Sequence, residues 1–399
     1  MKHLAILAAL IAPVSAFADP NPADWDAVKA EAAGQTVYWN AWGGSTTTND
    51  FLAWVGSRVA EDYGVTLEHV KLTDTADAVT RVLAEKQAGE DDDGAIDMIW
   101  INGANFAAMK EADLLFGPYA EQLPNWAVVD VAGKTVQTDF TVPTDGYESP
   151  WAMAQVVFVH DTADMPNDVG SMAELLEWAQ ANPGRFSYPQ PPDFLGTTFL
   201  KQVLVDILPD PSVLSAEVTD YNYAEVTAPL WAYLDELTPN LWREGKAYPA
   251  TGTAMFPLIA DDELDLSISF SPGAASTAIA NFELPDTVRT FVLDKGTIGN
   301  ASFVTIPYNS GSKAGAMVVA NFLMSPEAQA RAQDPAILGY GTVLDMEAIT
   351  AEERAVFDGL ELGIATLTPA ELGTVQAEPH PSWATRLADD WADRYGVSQ

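Results

Sequence analysis

The sequence has no cysteine among its 399 residues and contains only four histidines. The absence of cysteine excludes disulfides, thiol nucleophiles, thiolate zinc sites and iron–sulfur clusters. His3 lies in a segment that we expect to be removed, which leaves His69, His160 and His380 as candidate metal ligands or general bases. Histidine metal sites and histidine general bases therefore have few candidates, and we predict neither a metal site nor a cofactor.

Basic residues are also scarce, since 19 lysines and arginines stand against 57 aspartates and glutamates, for a formal net charge of −38. Nucleic acids and anionic membrane surfaces require a basic face, so neither is an expected partner. The acidic excess is most simply interpreted as a source of solubility. With 48% apolar residues the chain can still bury a core, and its length allows two or three domains.

Long apolar runs are missing as well, apart from a short one near the start, Leu4–Val14. Its length is typical of the apolar part of a signal peptide and is too short to span a bilayer. Ala16–Ala18 forms a small-residue cleavage site, so we expect the exported chain to begin at Asp19. No cysteine follows that site, which excludes a lipid anchor. The sequence therefore predicts a periplasmic protein with no membrane span of its own.

What the sequence does contain is a repeated pattern of strand, loop and helix. Thr36–Trp39 are strand formers, two glycines and a run of helix-capping residues follow, and an apolar helical pattern begins at Phe51. Ala95–Ile101 is a nearly continuous apolar strand, which Asn102–Asn105 separates from a second helix. This alternation predicts an α/β fold with a parallel sheet, in which ligands collect at the carboxyl ends of the strands.

Two further segments place small or polar residues at a predicted strand end. Arg185–Tyr188 leads to Asp193–Thr198 at the start of a helix, and Asp265–Ser269 leads to Phe270–Gly273. Backbone N–H groups at helix starts can bind the oxygen atoms of a ligand. Ordinary βα loops with core tryptophans look similar, so a purely structural role for these loops stays open.

Two longer segments resemble a known family, the extracellular solute-binding proteins of ABC importers, in the type II structural class. AGAMVVANFLMSPEAQARA, Ala314–Ala332, resembles that family's helix followed by a Ser-Pro-Glu-Ala-Gln signature. AIDMIWINGANFAAMKEADLL, Ala95–Leu115, is similar to its third strand and the following helix. The chain after the signal segment most resembles the YnjB-like subgroup, which neighbours thiamine and iron binders.

The resemblance implies two α/β lobes, each with a mostly parallel sheet, and a ligand cleft between them. A solute would close the lobes, and the closed form would dock on a permease in the inner membrane, with no chemistry on the solute. By analogy, lobe 1 would hold residues 19–150 and 297–335, and lobe 2 would hold residues 151–296 and 336–399. We expect the protein to act as a monomer.

Physical reasoning and the family pattern select the same loops as ligand contacts. Backbone N–H groups and the side chains of asparagine, serine and threonine would hydrogen-bond the solute, and tryptophan faces suit an aromatic ring or a cation. The predicted ligand-binding residues are Trp42, Gly43, Gly44, Ser45, Asn102, Gly103, Asn105, Trp151, Phe194, Gly196, Thr197, Thr198, Ser271 and Asn300.

The ligand class follows from the side chains in and near these loops. The predicted loops contain no lysine or arginine, so a multiply charged anion would rely on helix N-termini alone, and the sequence has no adjacent tyrosine pair of the kind that binds ferric iron. Aromatic residues beside acids, Glu148 near Trp151 and Asp193 near Phe194, suit a cationic organic ring. We therefore favour a thiamine-like cation, with a neutral sugar second and a phosphorylated solute as a further alternative.

A secreted hydrolase is the competing functional class. Ser310–Lys313 matches the Ser-x-x-Lys pattern of penicillin-binding enzymes, but the Ser-Asp-Asn and Lys-Thr-Gly partners are absent. No Gly-x-Ser-x-Gly elbow occurs, and His160 has no serine motif to accompany it. The sequence therefore predicts a binding protein and not an enzyme.

Overall fold

The computed structural model describes residues 19–396, so the predicted signal segment and its cleavage site lie outside the described residues. In chain order, the strands are β1 (Thr36–Trp42), β2 (Thr66–Leu72), β3 (Met98–Ile101), β4 (Thr138–Asp139), β5 (Val142–Pro143), β6 (Glu148–Gln155), β7 (Val157–Asp161), β8 (Leu266–Ser269), β9 (Val288–Phe291), β10 (Thr297–Thr305) and β11 (Val375–Gln376). The helices are α1 (Trp25–Ala32), α2 (Thr46–Tyr63), α3 (Ala76–Ala88), α4 (Ala104–Glu111), α5 (Met172–Ala181), α6 (Phe194–Ile207), α7 (Asp220–Leu237), α8 (Met255–Ala260), α9 (Ala274–Ala280), α10 (Lys313–Leu323), α11 (Pro326–Gln333), α12 (Ala351–Asp358), α13 (Pro369–Leu372) and α14 (Pro381–Tyr395). Within the described part of the chain, no helix is both long and apolar enough to cross a membrane.

The larger sheet contains six strands in the order β11, β10, β3, β1 and β2, with β6 paired to β10. β1 pairs in parallel with both β2 and β3, as the alternation of strands and helices predicts. β10 returns antiparallel to both β3 and β6. Because β1 and β3 are parallel neighbours, the loops at their carboxyl ends lie at the same edge of the sheet. The predicted α/β class is confirmed.

The second sheet is smaller and is joined to the first by two crossovers. A single residue separates β6 from β7, and β7 pairs antiparallel with both β8 and β9. The chain then returns from β9 to β10 in the first sheet. We expected a mostly parallel sheet in each lobe, and only the first sheet is of that kind. In the second sheet, β7 runs antiparallel to both of its neighbours, β8 and β9. Arg185–Tyr188, predicted as a strand, makes one bridge, from Phe186 to Leu266.

Two large hydrophobic cores divide the chain near these crossovers. The first is built from residues within 28–152 and 301–357. The second is built from residues within 156–298 and 383–391, where it includes Trp383. The C-terminal part of the chain therefore contributes to both cores, and the expected lobe boundaries stay a prediction.

Side-chain caps fix the starts of the two helices nearest the predicted loops. At the start of α2, Ser45 Oγ accepts a hydrogen bond from the Thr48 amide at 3.4 Å. At the start of α6, an oxygen of Asp193 accepts from the amides of Leu195 and Gly196, at 2.9 and 3.2 Å. Serine and aspartate are preferred N-caps, so these helix starts follow from local sequence.

Candidate functional site

The loop after β1 is held together by its own side chains. The indole of Trp42 lies against Gly44, where a β-carbon would come within 2.4 Å of the ring. Asn49 Nδ2 donates a hydrogen bond to the carbonyl oxygen of Gly43 at 3.2 Å, and Ser45 caps α2. Trp42 stays partly exposed. The loop therefore offers a ligand one indole ring, while the Ser45 hydroxyl already has partners.

The loop after β3 is tied to two neighbouring segments. Asn102 Nδ2 donates to the carbonyl oxygen of Ala301 on β10 at 2.7 Å. The Gly103 amide donates to the Asp139 carboxylate, and Gly103 has a φ of 58°, which glycine adopts readily. A β-carbon at Gly103 would also come within 2.7 Å of the Phe140 ring. The position therefore requires glycine, and it brings Asp139 and Phe140, which were not predicted, to this loop.

The first turn of α6 packs closely against the segment before it. A β-carbon at Gly196 would lie 2.1 Å from the carbonyl oxygen of Pro189, so this position also requires glycine. Thr197 and Thr198 are buried, and the Thr198 hydroxyl has no partner within residues 19–396. Phe194 keeps 49% of its surface exposed. The turn therefore offers a ligand one aromatic ring, while the hydroxyl of Thr198 is buried and unpartnered in the described part of the chain.

Ser271 and Asn105 complete the predicted loops. Ser271 follows β8, and its buried hydroxyl has no partner among the residues that the structure describes. The neighbouring Phe270 meets Phe194 edge-on, with ring centres 5.1 Å apart, so Ser271 is close to the start of α6. Asn105 lies partly exposed in the first turn of α4.

Sequence reasoning missed the basic side chain of this site, Lys201. Its ammonium is 2.6 Å from Glu378 Oε2, and Asn300 Nδ2 donates to the other oxygen of Glu378 at 3.0 Å. The same ammonium is 4.6 Å from the ring centre of Phe140 and 5.6 Å from that of Phe194. The predicted loops themselves contain no lysine, but two helical turns place Lys201 on the same face of α6 as Phe194, so a basic side chain does reach the site.

These side chains come from elements of both halves of the molecule. Phe140 is held against Gly103 at the edge of the first sheet, while Lys201 lies on α6, whose apolar residues fill the second core. Asn300 lies near the start of β10, just after the chain returns from the second sheet to the first. The predicted residues Asn102, Gly103, Phe194 and Asn300 are thus brought together at the crossover, with Asp139, Phe140, Lys201 and Glu378 added to them.

Burial shifts two carboxyl groups, Asp139 in the site and Glu148 near it, toward their neutral forms. Burial raises the pKa of Asp139 to about 8, although hydrogen bonds from Gly103 and Asn102 oppose the rise. Burial also raises the pKa of Glu148 well above its ordinary value, and the nearby charge of Asp139 adds to that rise. Within residues 19–396, Asp139 Oδ1 and both carboxyl oxygens of Glu148 lack partners. A positively charged group nearby would favour ionised forms of both residues.

Trp151 does not face a ligand site. It is fully buried, stacks on Phe51 with ring centres 6.0 Å apart, and meets Trp100 edge-on at 4.8 Å. The predicted cleft position of Trp151 is wrong, because β6 turns its side chain into the first core. The structural alternative, a core tryptophan at a strand end, holds for this residue.

Three aspartates elsewhere come close enough to share a cation. Oxygens of Asp164, Asp262 and Asp265 lie within 4.8 Å of one another. Arg185 forms ion pairs with Asp262 and Asp265, so its guanidinium already balances part of their charge. None of the three was a predicted site residue.

Comparison with known proteins settles the family. The family described as bacterial extracellular solute-binding protein matches residues 56–352. Protein YnjB of Escherichia coli (strain K12) is 44% identical over 397 residues, with all of both chains covered. The chain belongs to the bacterial extracellular solute-binding protein family.

Solved structures agree on the fold of this family member. The periplasmic binding protein AfuA from Actinobacillus pleuropneumoniae, with exogenous fructose-6-phosphate bound, has a TM-score of 0.62 at 12% identity and covers 92% of this chain and 100% of its own. Apo ferric ion-binding protein A from Pasteurella haemolytica has a TM-score of 0.62 at 14% identity and covers 91% and 98%. The predicted type II periplasmic-binding-protein fold is confirmed.

Membership of this family fixes the class of function. The chain is a solute-binding component of an ABC transport system and not an enzyme, so the hydrolase alternative is excluded. Its partners are a small solute and a membrane permease, and it acts outside the cytoplasm. The predictions of family, fold and class of activity are confirmed.

Proposed function

We propose that the protein captures a small organic cation, with a thiamine-like ring favoured, between its two lobes and delivers it to an inner-membrane permease. The observation that carries this proposal is the buried group of Asp139, Glu378 and Lys201 beside the rings of Phe140 and Phe194. Elements of both cores contribute to the group, as expected of a site that a solute closes.

The charges of this group favour a cation over an anion. Two buried carboxyl groups, Asp139 and Glu378, lie beside one lysine, Lys201, and burial keeps Asp139 neutral at pH 7 because it raises the pKa of that group to about 8. A cationic solute bound beside these carboxyl groups would favour the ionised form of Asp139. Aromatic faces add an attraction of roughly 0.5–2 kcal/mol for a cation held close to them. A phosphate group would instead meet the Glu378 carboxylate, which repels it, and would not favour the ionised form of Asp139.

The proposed contacts are the predicted residues, with Trp151 removed and four residues added. Trp42 and Phe194 would contact a flat ring, and the hydrogen-bonding groups of the loops would orient it. The full set is Trp42, Gly43, Gly44, Ser45, Asn102, Gly103, Asn105, Asp139, Phe140, Phe194, Gly196, Thr197, Thr198, Lys201, Ser271, Asn300 and Glu378.

A neutral sugar is the second candidate, and one observation favours it. The hydroxyl groups of Thr198 and Ser271 are buried without partners in the described part of the chain, so each would gain a hydrogen bond from a sugar hydroxyl placed beside it. Aromatic rings at the same site would suit the apolar face of a sugar. This candidate does not use the two buried carboxyl groups as directly as a cation does.

Calorimetric titration tests the ligand class. The protein is unfolded and refolded to remove carried-over solute, then titrated with thiamine, thiamine phosphates, glucose and fructose-6-phosphate. We expect saturable heat with thiamine at one molecule per chain. Absence of heat with millimolar thiamine, together with heat from glucose or fructose-6-phosphate, would contradict the proposal.

The maturation and assembly of the protein are further parts of this proposal. Export would remove residues 1–18, so that the chain begins at Asp19, and the mature protein would be a monomer with lobes 19–150 plus 297–335 and 151–296 plus 336–399. Intact mass measurement of the periplasmic protein tests the cleavage position, and light scattering after gel filtration tests the oligomeric state. Cleavage elsewhere, or a dimer mass, would overturn the corresponding part.

A further inference from the structure

We propose that Lys201 is a tethered occupant of the cation position, so that its own ammonium closes the cleft when no solute is bound. An entering solute cation would have to displace this ammonium. Displacement of Lys201 by a solute rests on the proposed function. Closure of the empty cleft by Lys201 does not, since it concerns the protein without solute.

The surroundings of the ammonium are those of a cation-binding cage. One wall is the Glu378 carboxylate at 2.6 Å, and the others are the rings of Phe140 at 4.6 Å and Phe194 at 5.6 Å. A carboxylate with aromatic faces is the usual protein environment for an ammonium ligand. Here the occupant is a side chain of the protein itself.

The cage is assembled only when the two halves of the molecule meet. Phe140 is held by its contact with Gly103 at the edge of the first sheet, whereas Phe194 and Lys201 lie on α6 in the second half. Opening the cleft would separate Lys201 from Phe140 and expose the ammonium to water. The stability of the closed state therefore depends on where the flexible side chain of Lys201 lies.

The ammonium has too few partners for a purely structural ion pair. Lys201 is 2% exposed, and Glu378 is its hydrogen-bond acceptor among residues 19–396, although an ammonium can donate three hydrogen bonds. A desolvated ammonium with unused donors is costly to hold. Its four-carbon stem is flexible, so the charge can leave the cage without movement of α6.

The test measures lobe closure without solute. The chain has no cysteine, so Ser57→Cys on α2 and Tyr221→Cys on α7, both exposed, give two specific sites for fluorescent labels. Single-molecule energy transfer then compares the refolded parent with Lys201→Ala, and with Lys246→Met as a control for loss of an exposed lysine outside the site. We expect Lys201→Ala to shift the population toward the open state and Lys246→Met to leave it unchanged.

Chemical rescue separates a cation cage from general loss of packing. We expect millimolar propylammonium to return Lys201→Ala to the closed state, and 1-propanol to have no effect. Lys201→Gln, which keeps most of the side-chain length, serves if the alanine variant does not fold, and it should open in the same way. A closed population that does not change in the variants, or rescue by 1-propanol as well as by propylammonium, would overturn the proposal.

The affinity for thiamine provides a separate reading. If Lys201 competes with the solute, Lys201→Ala should bind thiamine about tenfold more tightly than the parent. If neither protein binds thiamine but propylammonium still closes the variant, the proposed ligand is wrong, and the proposal that Lys201 closes the empty cleft is supported. If thiamine binds the parent and the variant equally, displacement of Lys201 is contradicted.

Discussion

The side-chain amide of Gln329 donates a hydrogen bond to the main-chain carbonyl of Trp151 at 2.5 Å. The same nitrogen donates to the carbonyl oxygen of Leu323, and the side-chain oxygen accepts from the Val343 amide at 2.8 Å. Gln329 ends the Ser-Pro-Glu-Ala-Gln signature by which the sequence resembles its family. The signature glutamine therefore joins β6, just before the first crossover, to the end of α10 and to the segment near Val343.

Replacement of this glutamine should be strongly destabilising. Gln329→Leu leaves the Trp151 and Leu323 carbonyls and the Val343 amide without their buried partner, so we expect a loss of roughly 2–4 kcal/mol in the free energy of unfolding. Urea unfolding followed by circular dichroism measures it. Gln122→Leu, at an exposed glutamine, is the matched control and should change stability by less than about 0.5 kcal/mol. Equal effects of the two substitutions would contradict this role.

Gly44→Ala should displace the indole of Trp42. A β-carbon at position 44 would lie 2.4 Å from that ring, so the side chain has to leave its place at the loop. We expect weaker thiamine binding, by about tenfold, with little change in melting temperature. Gly359→Ala is a suitable control, since its φ is −86° and the nearest atom to a new β-carbon is 3.3 Å away. Unchanged affinity in Gly44→Ala would remove Trp42 from the proposed contacts.

Glu378→Gln should weaken binding of an organic cation. The substitution keeps the shape of the side chain and removes the charge that faces Lys201 and the proposed solute. We expect at least a tenfold loss of affinity for thiamine, equivalent to about 1.4 kcal/mol. Glu361→Gln, at an exposed position, controls for loss of one acidic charge from the surface. Stronger thiamine binding in Glu378→Gln would show that the carboxylate serves only to hold Lys201.

Asp139 should make the protein less stable as the pH rises. An unfolded carboxyl titrates near 4, whereas burial raises the pKa of Asp139 to about 8, so between these values the folded state binds more protons. Stability then falls with rising pH across that window. Glu148, whose pKa burial also raises, contributes in the same direction, and the charges of Glu378 and Lys201 also act on Asp139.

Asp139→Asn tests this pH dependence directly. The amide oxygen can still accept from the Gly103 amide, so the loop is kept while the titration is removed. We expect a shallower fall of melting temperature between pH 5 and pH 8, and a melting temperature above the parent's at pH 8. A parent and variant with parallel profiles would show that Asp139 does not titrate in this window.

Local sequence predicts the parts of the site that depend on neighbouring residues. The strand that ends at Trp42, the cap at Ser45 and the loop at Asn102 and Gly103 follow from strand formers, N-cap residues and glycine. Trp151 could not be assigned in the same way. Whether a strand residue faces the core or the cleft depends on the register of β6 beside β10, which no local pattern sets.

The added residues depend on contacts between distant parts of the chain. Lys201 and Glu378 are 177 positions apart, and Gly103 and Asp139 are 36 apart. Lys201 alone had a local signal, since it lies seven residues after Phe194 and therefore on the same helical face. It also lies within one helical turn of Thr198, the last residue of the predicted loop.

The central claim is that the solute is an organic cation, and the most direct test is to identify what the protein carries from its own compartment. Native mass spectrometry of protein purified from the periplasm without unfolding, followed by mass analysis of the released small molecule, makes that measurement. We predict one bound organic cation per chain, and its loss from Glu378→Gln. A bound sugar phosphate, a neutral sugar or a metal ion in that position would contradict the account.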